Sequence, residues 1–170
     1  MKRSFAGITL LALSIMILVV SAFVYDQASQ TTTQTVINVA SISLGNAALG
    51  NINEGETILY TPSNTSALDN ILDITTAATN VYLHFDTDLD LQTTNYDTYQ
   101  IEVIVSSAPG GSSLSGTIAT LTMAAPDTAT GITLDVIGNY ILDFQVTTTA
   151  QAVGSNQDTT VNITVTVENA

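Results

Sequence analysis

The closing stretch of the chain, VNITVTVE at residues 161–168, alternates apolar and polar side chains with a period of two. Val161, Ile163, Val165 and Val167 are separated by Asn, Thr or Glu. Successive side chains of a β-strand point to opposite faces, so the pattern predicts a strand with one buried and one solvated face. Such strands are typical of antiparallel sheets that pack on one side only.

Other β-branched, apolar or alternating segments predict seven earlier strands, at residues 35–44, 56–60, 81–86, 99–105, 113–123, 132–137 and 140–149. Turn signals lie between them at residues 62–64, 108–111, 125–127 and 154–156, and Gly138-Asn139 predicts a two-residue hairpin. We find no amphipathic helix of useful length after residue 30. The chain is therefore predicted to be all-β, a single jelly-roll-like or immunoglobulin-like β-sandwich of about seven or eight antiparallel strands.

Composition agrees with a sheet protein. Of the 170 residues, 45% are hydrophobic, 10% are charged and 28 are Thr, and the chain contains no Cys or Trp. Thr, Val and Ile favour pleated, half-buried surfaces. With no disulfide possible, the fold must be held by packing, hydrogen bonding or assembly.

The charges are divided between the two parts of the chain. Lys2 and Arg3 are the only basic residues, and all 15 acidic residues follow Tyr25. Without its first 22 residues the chain carries 0 − 15 = −15, which argues against binding nucleic acid or an anionic membrane surface. Copies of such a chain can associate only through backbone hydrogen bonds and apolar contacts, with cations as screens. Alternatively, the acidity only keeps a secreted protein soluble.

The N-terminus is typical of a targeting segment. Lys2 and Arg3 precede an apolar run, centred on residues 8–20, that ends in Val20-Ser21-Ala22. We expect residues 1–22 to be a signal peptide cleaved after Ala22, which makes the protein secreted. Two alternatives stay open: an uncleaved membrane anchor, and a type IV pilin leader whose apolar helix is retained in a filament core.

Residues 23–40 are predicted to form an extension ahead of the sandwich domain, residues 41–170. A polar Thr/Gln/Ser tract at residues 27–34 resembles a linker. The following strand is apolar on both faces, with Val36, Ala40, Ile42 and Leu44 on one and Ile37 and Val39 on the other. Such a strand belongs inside a sandwich, either that of its own subunit or that of a neighbour.

Several short motifs resemble the TasA/camelysin family of biofilm-matrix fibre proteins, to which archaeal bundling-pilus subunits are similar. The aromatic stretch Phe23-Val24-Tyr25-Asp26-Gln27 comes first, followed by SISLG at residues 41–45, LGNINEGET at 49–57, NTSALD at 64–69 and VYL at 81–83. Glu54 stands where the family usually has Pro, and Ser66 where it usually has Gly. The resemblance covers roughly the first 90 residues.

The resemblance implies a cell-surface filament or biofilm-matrix fibre, a homopolymer built by donor-strand complementation, with lateral bundling between filaments. An extended N-terminal donor strand of one subunit would complete the sandwich of the next. Carried over by position, the donor side chains are Phe23, Val24, Tyr25, Val36, Ile37 and Val39. The chain also has no Lys after residue 2 to blunt an exposed sheet edge. The alternatives are a first strand within a monomeric domain, and a monomeric secreted binding module, for example for carbohydrate.

Residues that could carry chemistry are scarce, and we expect no enzyme. A single His, no Cys and no Lys after residue 2 exclude His-Cys nucleophilic pairs, P-loop lysines and multi-His zinc sites. His84 falls on the polar face of its predicted strand, as expected of a structural histidine. If that strand continues, Asp86, Asp88 and Asp90 share one face and form a candidate calcium site, the alternative being a solvated acidic strand end.

Two sequons occur, Asn64-Thr65-Ser66 and Asn162-Ile163-Thr164. Asn64 lies in a predicted turn and Asn162 on the solvated face of the last strand. Both asparagines are therefore candidate N-glycosylation sites of a secreted glycoprotein.

Overall fold

The structure is a computed structural model that describes residues 40–152 and 157–169. This part of the chain contains nine strands: β1 (Ala40–Leu44), β2 (Thr57–Tyr60), β3 (Leu72–Thr76), β4 (Val81–Thr87), β5 (Tyr96–Ser107), β6 (Gly116–Thr122), β7 (Ile132–Leu134), β8 (Gly138–Ala150) and β9 (Ile163–Asn169). Two short 3₁₀ helices, Ser66–Leu68 and Leu89–Thr94, lie between strands. Among the described residues, no helix has the length and apolar character needed to cross a membrane.

The strands form two antiparallel sheets. The larger sheet has the order β1-β3-β8-β5-β6, with β2 also pairing with β8, and the smaller has the order β7-β4-β9. β3 pairs with residues 138–142 of β8 and β2 with residues 146–149, so these two strands share one edge of the long β8. The predicted all-β sandwich is confirmed.

We call the two ends of the sandwich the upper and the lower end. At the upper end, Ala40 pairs with Thr76 and Thr76 with Gly138 in the larger sheet, while Val81 pairs with Leu134 and Asn169 in the smaller. At the lower end lie Ala150, Thr87 and Ile163. Strand β1 therefore runs downward from Ala40, and β9 runs upward to Asn169.

The core lies between the sheets and follows the period-two pattern. Strand β4 buries Val81, Leu83 and Phe85 with at most 1% of each side chain exposed. The ring of Phe85 meets that of Phe144 on β8 edge-to-face, with centroids 6.4 Å apart, which joins the two sheets directly. The polar residues between these positions point outward.

The structure has one strand more than the sequence predicted, because β3 was missed. Its pattern, with Leu72, Ile74 and Thr76 buried, contains only two large apolar residues and ends on two threonines. The predicted hairpin at Gly138-Asn139 is wrong: β7 pairs with β4 and not with β8, so the chain crosses between sheets at this point. Gly138 begins β8 with φ 143°, where a Cβ would come 2.8 Å from Cγ of Pro109.

Candidate functional site: the open edge of strand β9

Strand β9 lies at one edge of the three-stranded sheet. Each of its seven residues pairs with β4, from Ile163 opposite Thr87 to Asn169 opposite Val81. Within the described residues no strand pairs with its other edge. An unpaired edge presents backbone N–H and C=O groups that can bind a further strand.

The core-facing side chains of β9 are incompletely covered. Ile163, Val165 and Val167 face the core but remain partly exposed. Their partners on β4 are buried in comparison: Leu83, opposite Val167, is 0% exposed, and Phe85, opposite Val165, is 1% exposed. Apolar surface at the β9 edge therefore remains for another segment to cover.

A further partly covered apolar side chain lies on β1, the neighbouring strand of the larger sheet. Ile42 of β1 pairs with Ile74, which is 0% exposed, so both side chains point towards the core. Ile42 nevertheless is 38% exposed. Strands β1 and β9 come within 8 Å between Cα atoms. We call the surface formed by Ile42, Ile163, Val165 and Val167 the β1–β9 seam.

On the other side of β4, the loop before β7 continues the pairing below that short strand. Phe85 N donates to Thr128 Oγ1 and Thr128 N donates to Phe85 O, both at 2.9 Å. Thr87 Oγ1 donates to Pro126 O at 2.7 Å. The lower half of β4 therefore has partners on both sides, whereas β9 pairs only with β4 among the described strands.

The lower end of β9 is fixed by a carboxylate. Asp88 accepts hydrogen bonds from the backbone N of Asn162 at 2.8 Å and from its Nδ2 at 2.6 Å. The buried side chain of Gln92 donates to Thr160 O at 3.4 Å, just upstream. These bonds join the start of β9 to the 3₁₀ helix Leu89–Thr94 and hold the open edge in place.

The sequence-predicted acidic run does not form one face. Strand β4 ends at Thr87, Asp88 directly precedes the following 3₁₀ helix without capping it through its side chain, and Asp90 lies inside that helix. The alternation that would have aligned Asp86, Asp88 and Asp90 is therefore lost, and both oxygens of Asp88 already accept hydrogen bonds. No group of three His, Cys, Asp or Glu side chains suited to a metal ion occurs within residues 40–152 and 157–169.

The two sequon asparagines are exposed, and both amides take part in local structure. In the turn after β2, Asn64 Oδ1 accepts from Thr61 N at 2.7 Å and its Nδ2 donates to Leu59 O at 2.9 Å. Asn162 lies one residue before β9 rather than within it, with its Nδ2 on Asp88. A glycan on Asn162 would stand at the lower end of the open edge.

His84 lies on the outer face of β4, as predicted. A Cβ on Gly131 would come 2.8 Å from its Nε2, so the glycine makes room for the imidazole against the loop before β7. The donor residues Phe23, Val24, Tyr25, Val36, Ile37 and Val39 lie outside the described residues. Their predicted role stays a prediction.

A shallow depression lies at the lower end of the sandwich. It is lined by Glu54, Gly55, Asp97, Ala150, Gln151 and Ala152. The lining has no aromatic side chain on which a sugar ring could stack, and two of its residues are acidic. It therefore gives no support to a carbohydrate-binding module.

The chain matches no family model, and no curated protein is significantly similar to it.

Proposed function

We propose that this protein is a structural subunit of an extracellular fibre or pilus, in which the N-terminal extension of one subunit pairs with the β9 edge of another. The observation that carries the proposal is the β1–β9 seam. Ile42 is 38% exposed although it points inward, and β9 lacks a second partner among the described strands. A donor strand would supply both the missing backbone hydrogen bonds and the missing apolar cover.

The charge of the chain supports this mode of assembly over others. The 15 acidic residues and the absence of Lys and Arg beyond residue 3 leave subunits without salt bridges between them. Backbone pairing at a strand edge is independent of side-chain charge, and side chains of the seam are uncharged. The contact joins two different surfaces and does not close, so it propagates into a filament.

The resemblance to the TasA/camelysin fibre proteins points in the same direction. It favours secretion, a place in a cell-surface filament or biofilm matrix, and bundling between filaments, and it assigns no catalytic role. Glycans on Asn64 or Asn162 would add a hydrated coat to such a fibre.

Deletion of residues 23–34 tests the proposal. A chain that begins at Phe23 is expected to form filaments visible by electron microscopy, and the deleted chain is expected to stay monomeric with an unchanged circular dichroism spectrum. Filaments from the deleted chain would contradict the proposal. The N-terminal sequence of purified filaments distinguishes a start at Phe23 from the retained apolar helix of a pilin-like subunit.

A pair of substitutions tests the acceptor side. Ile42→Asp places a charge in the seam and is expected to reduce filament yield at least tenfold. Leu59→Asp is the matched control, because Leu59 is 48% exposed on the outer face of β2, away from the seam. Equal loss in both variants would show that the seam has no special part in assembly.

A further inference from the structure

We propose that the subunits stack head-to-tail, the upper end of one against the lower end of the next, with the donor strand antiparallel to β9. This inference rests on the proposed function and adds the polarity of the fibre. It follows from the place where the extension joins the domain and from the direction of β9.

The extension joins the sandwich at its upper end. Ala40 begins β1 opposite Thr76, and Thr76 pairs with Gly138 at the start of β8. The chain therefore enters the domain, at Ala40, at the end that also holds Asn169, the last residue of β9. The lower end, with Thr87 and Ile163, is the distant one.

Insertion into the edge of the same subunit without a return loop would require a parallel strand. A segment that fills its own β9 edge and continues directly into β1 must end near Ala40 at the upper end, and it would therefore run upward, in the direction of β9. It would also need a sharp reversal immediately before β1. Every strand pair in the described residues is antiparallel, so such an insertion would be the exception in this fold.

Insertion into a neighbour can take two forms, and only one of them propagates. If two upper ends face each other, each subunit fills the other's edge and the pair closes as a dimer. If an upper end faces a lower end, the donor enters the neighbour beside Ile163 and its N-terminus lies towards Asn169. The donor then runs N-to-C downward, antiparallel to β9.

The two ends carry apolar side chains that this stacking would cover. Ile137, in the link between β7 and β8 at the upper end, is 53% exposed. Leu91, in the 3₁₀ helix at the lower end, is 68% exposed. Head-to-tail stacking brings the end with Ile137 against the end with Leu91, so each can lose contact with water.

The extension is long enough for this path. The seven residues of β9 span about 23 Å, whereas residues 23–39 span about 56 Å when extended. Crossing from one subunit to the next and covering a whole β9 edge therefore needs less than the full extension.

Cross-linking of engineered cysteines tests the polarity, because the natural chain has no Cys. Ile37→Cys marks the donor near Ala40. It is combined either with Thr164→Cys, near the lower end of β9, or with Glu168→Cys, near the upper end; both positions are exposed on the outer face. The two positions lie about 13 Å apart, so a short bis-maleimide distinguishes them. Filaments of the full chain from Phe23 are cross-linked, denatured and separated by size.

The expected result is a ladder of oligomers for the Ile37→Cys/Thr164→Cys chain, and at least fivefold fewer links between subunits for the Ile37→Cys/Glu168→Cys chain. A ladder or closed dimers mainly from the Glu168→Cys chain would overturn the proposed polarity. Filaments that cross-link at neither position would overturn it too, because the donor would then lie elsewhere. Failure of the unmodified chain to form filaments would instead contradict the proposed function itself.

Discussion

Thr148 is a polar residue on the core-facing side of β8. Its side chain is 3% exposed, and its Oγ1 has no hydrogen-bond partner among residues 40–152 and 157–169. A buried hydroxyl without a partner keeps its desolvation cost, which mutational data place at about 1–3 kcal/mol.

Thr148→Val is therefore expected to raise the free energy of unfolding by about 1 kcal/mol, since Val has nearly the same shape and no hydroxyl. Urea unfolding of the monomeric chain lacking residues 23–34 measures it. Thr147→Val, one residue earlier on the outer face, is the control and should change the value by less than about 0.5 kcal/mol. A loss of stability in Thr148→Val would mean that the hydroxyl has a partner.

The carboxylate of Asp135 is held by hydrogen bonds from a neighbouring loop. It accepts hydrogen bonds from Ser112 Oγ and from Ser113 N, both at 2.7 Å, and these bonds hold the pKa of its carboxyl well below the ordinary value. They attach the loop between β5 and β6 to the link between β7 and β8. The folded state therefore favours the charged form of Asp135.

The sign of the pH dependence follows from that lowered pKa. The contribution of Asp135 is fully present above its ordinary pKa of about 3.9 and is lost as the pH falls below it. The difference in unfolding free energy between the parent chain and Asp135→Asn is expected to shrink as the pH is lowered from about 6 to about 2. A constant difference for Asp135→Asn across this range would refute the assignment.

Among the secondary-structure elements, β9 is attached at its lower end by two hydrogen bonds from Asn162 to Asp88. Asp88→Ala removes both acceptors and leaves Asn162 to water. We expect it to lower the free energy of unfolding by about 1–3 kcal/mol and to increase hydrogen exchange in β9 more than in β5. Asp90→Ala, in the same 3₁₀ helix, is the control. Equal effects of the two variants would mean that Asp88 has no special part in holding β9.

The strands differ in how well the sequence predicted them. Strands β4, β5, β8 and β9 alternate clearly over several residues, and their positions were predicted to within a few residues. The missed β3 has a short pattern completed by a buried Thr, and burial of Thr76 depends on neighbours that the sequence does not reveal. The hairpin predicted at Gly138-Asn139 was wrong although these are typical turn residues. Strand β7 pairs with β4, which is distant in sequence, and turn residues do not specify such a pairing.

The candidate site was predictable only in part. The apolar pattern of residues 161–168 predicted a strand with one buried face, yet it could not show that this strand lies at an edge. Partial exposure of Val165 and Val167 depends on the absence of a neighbouring strand in the described structure. The acidic run 86–90 failed as a single face because β4 stops at Thr87, which periodicity alone did not indicate.

We expect the negative charge of the whole molecule to slow its assembly into filaments. The lower end carries Glu54, Asp88, Asp90 and Asp97, the upper end carries Glu168 and Asp135, and no Lys or Arg follows residue 3. Stacking such ends brings like charges together. Salt shortens the Debye length from about 30 Å at 0.01 M to about 10 Å at 0.1 M and so weakens this repulsion.

Filament growth, followed by light scattering, should therefore accelerate at least severalfold when NaCl is raised from about 0.01 to about 0.1 M. Calcium at matched ionic strength separates screening from binding. An equal rate would indicate screening alone, and a higher rate would indicate a cation held between carboxylates of adjoining subunits. Slower growth at higher salt would contradict the view that apolar and backbone contacts join the subunits.

Hydrogen–deuterium exchange, compared between monomers and filaments of the same chain, tests whether a donor strand pairs with the β9 edge. Peptides that contain β9 should exchange readily in the monomer and become at least tenfold slower in the filament, because a donor strand occupies the free edge. Peptides from β5, which pairs on both sides in the folded subunit, should exchange alike in both states. Filaments in which β9 exchanges as fast as in the monomer would show that no donor strand pairs with this edge.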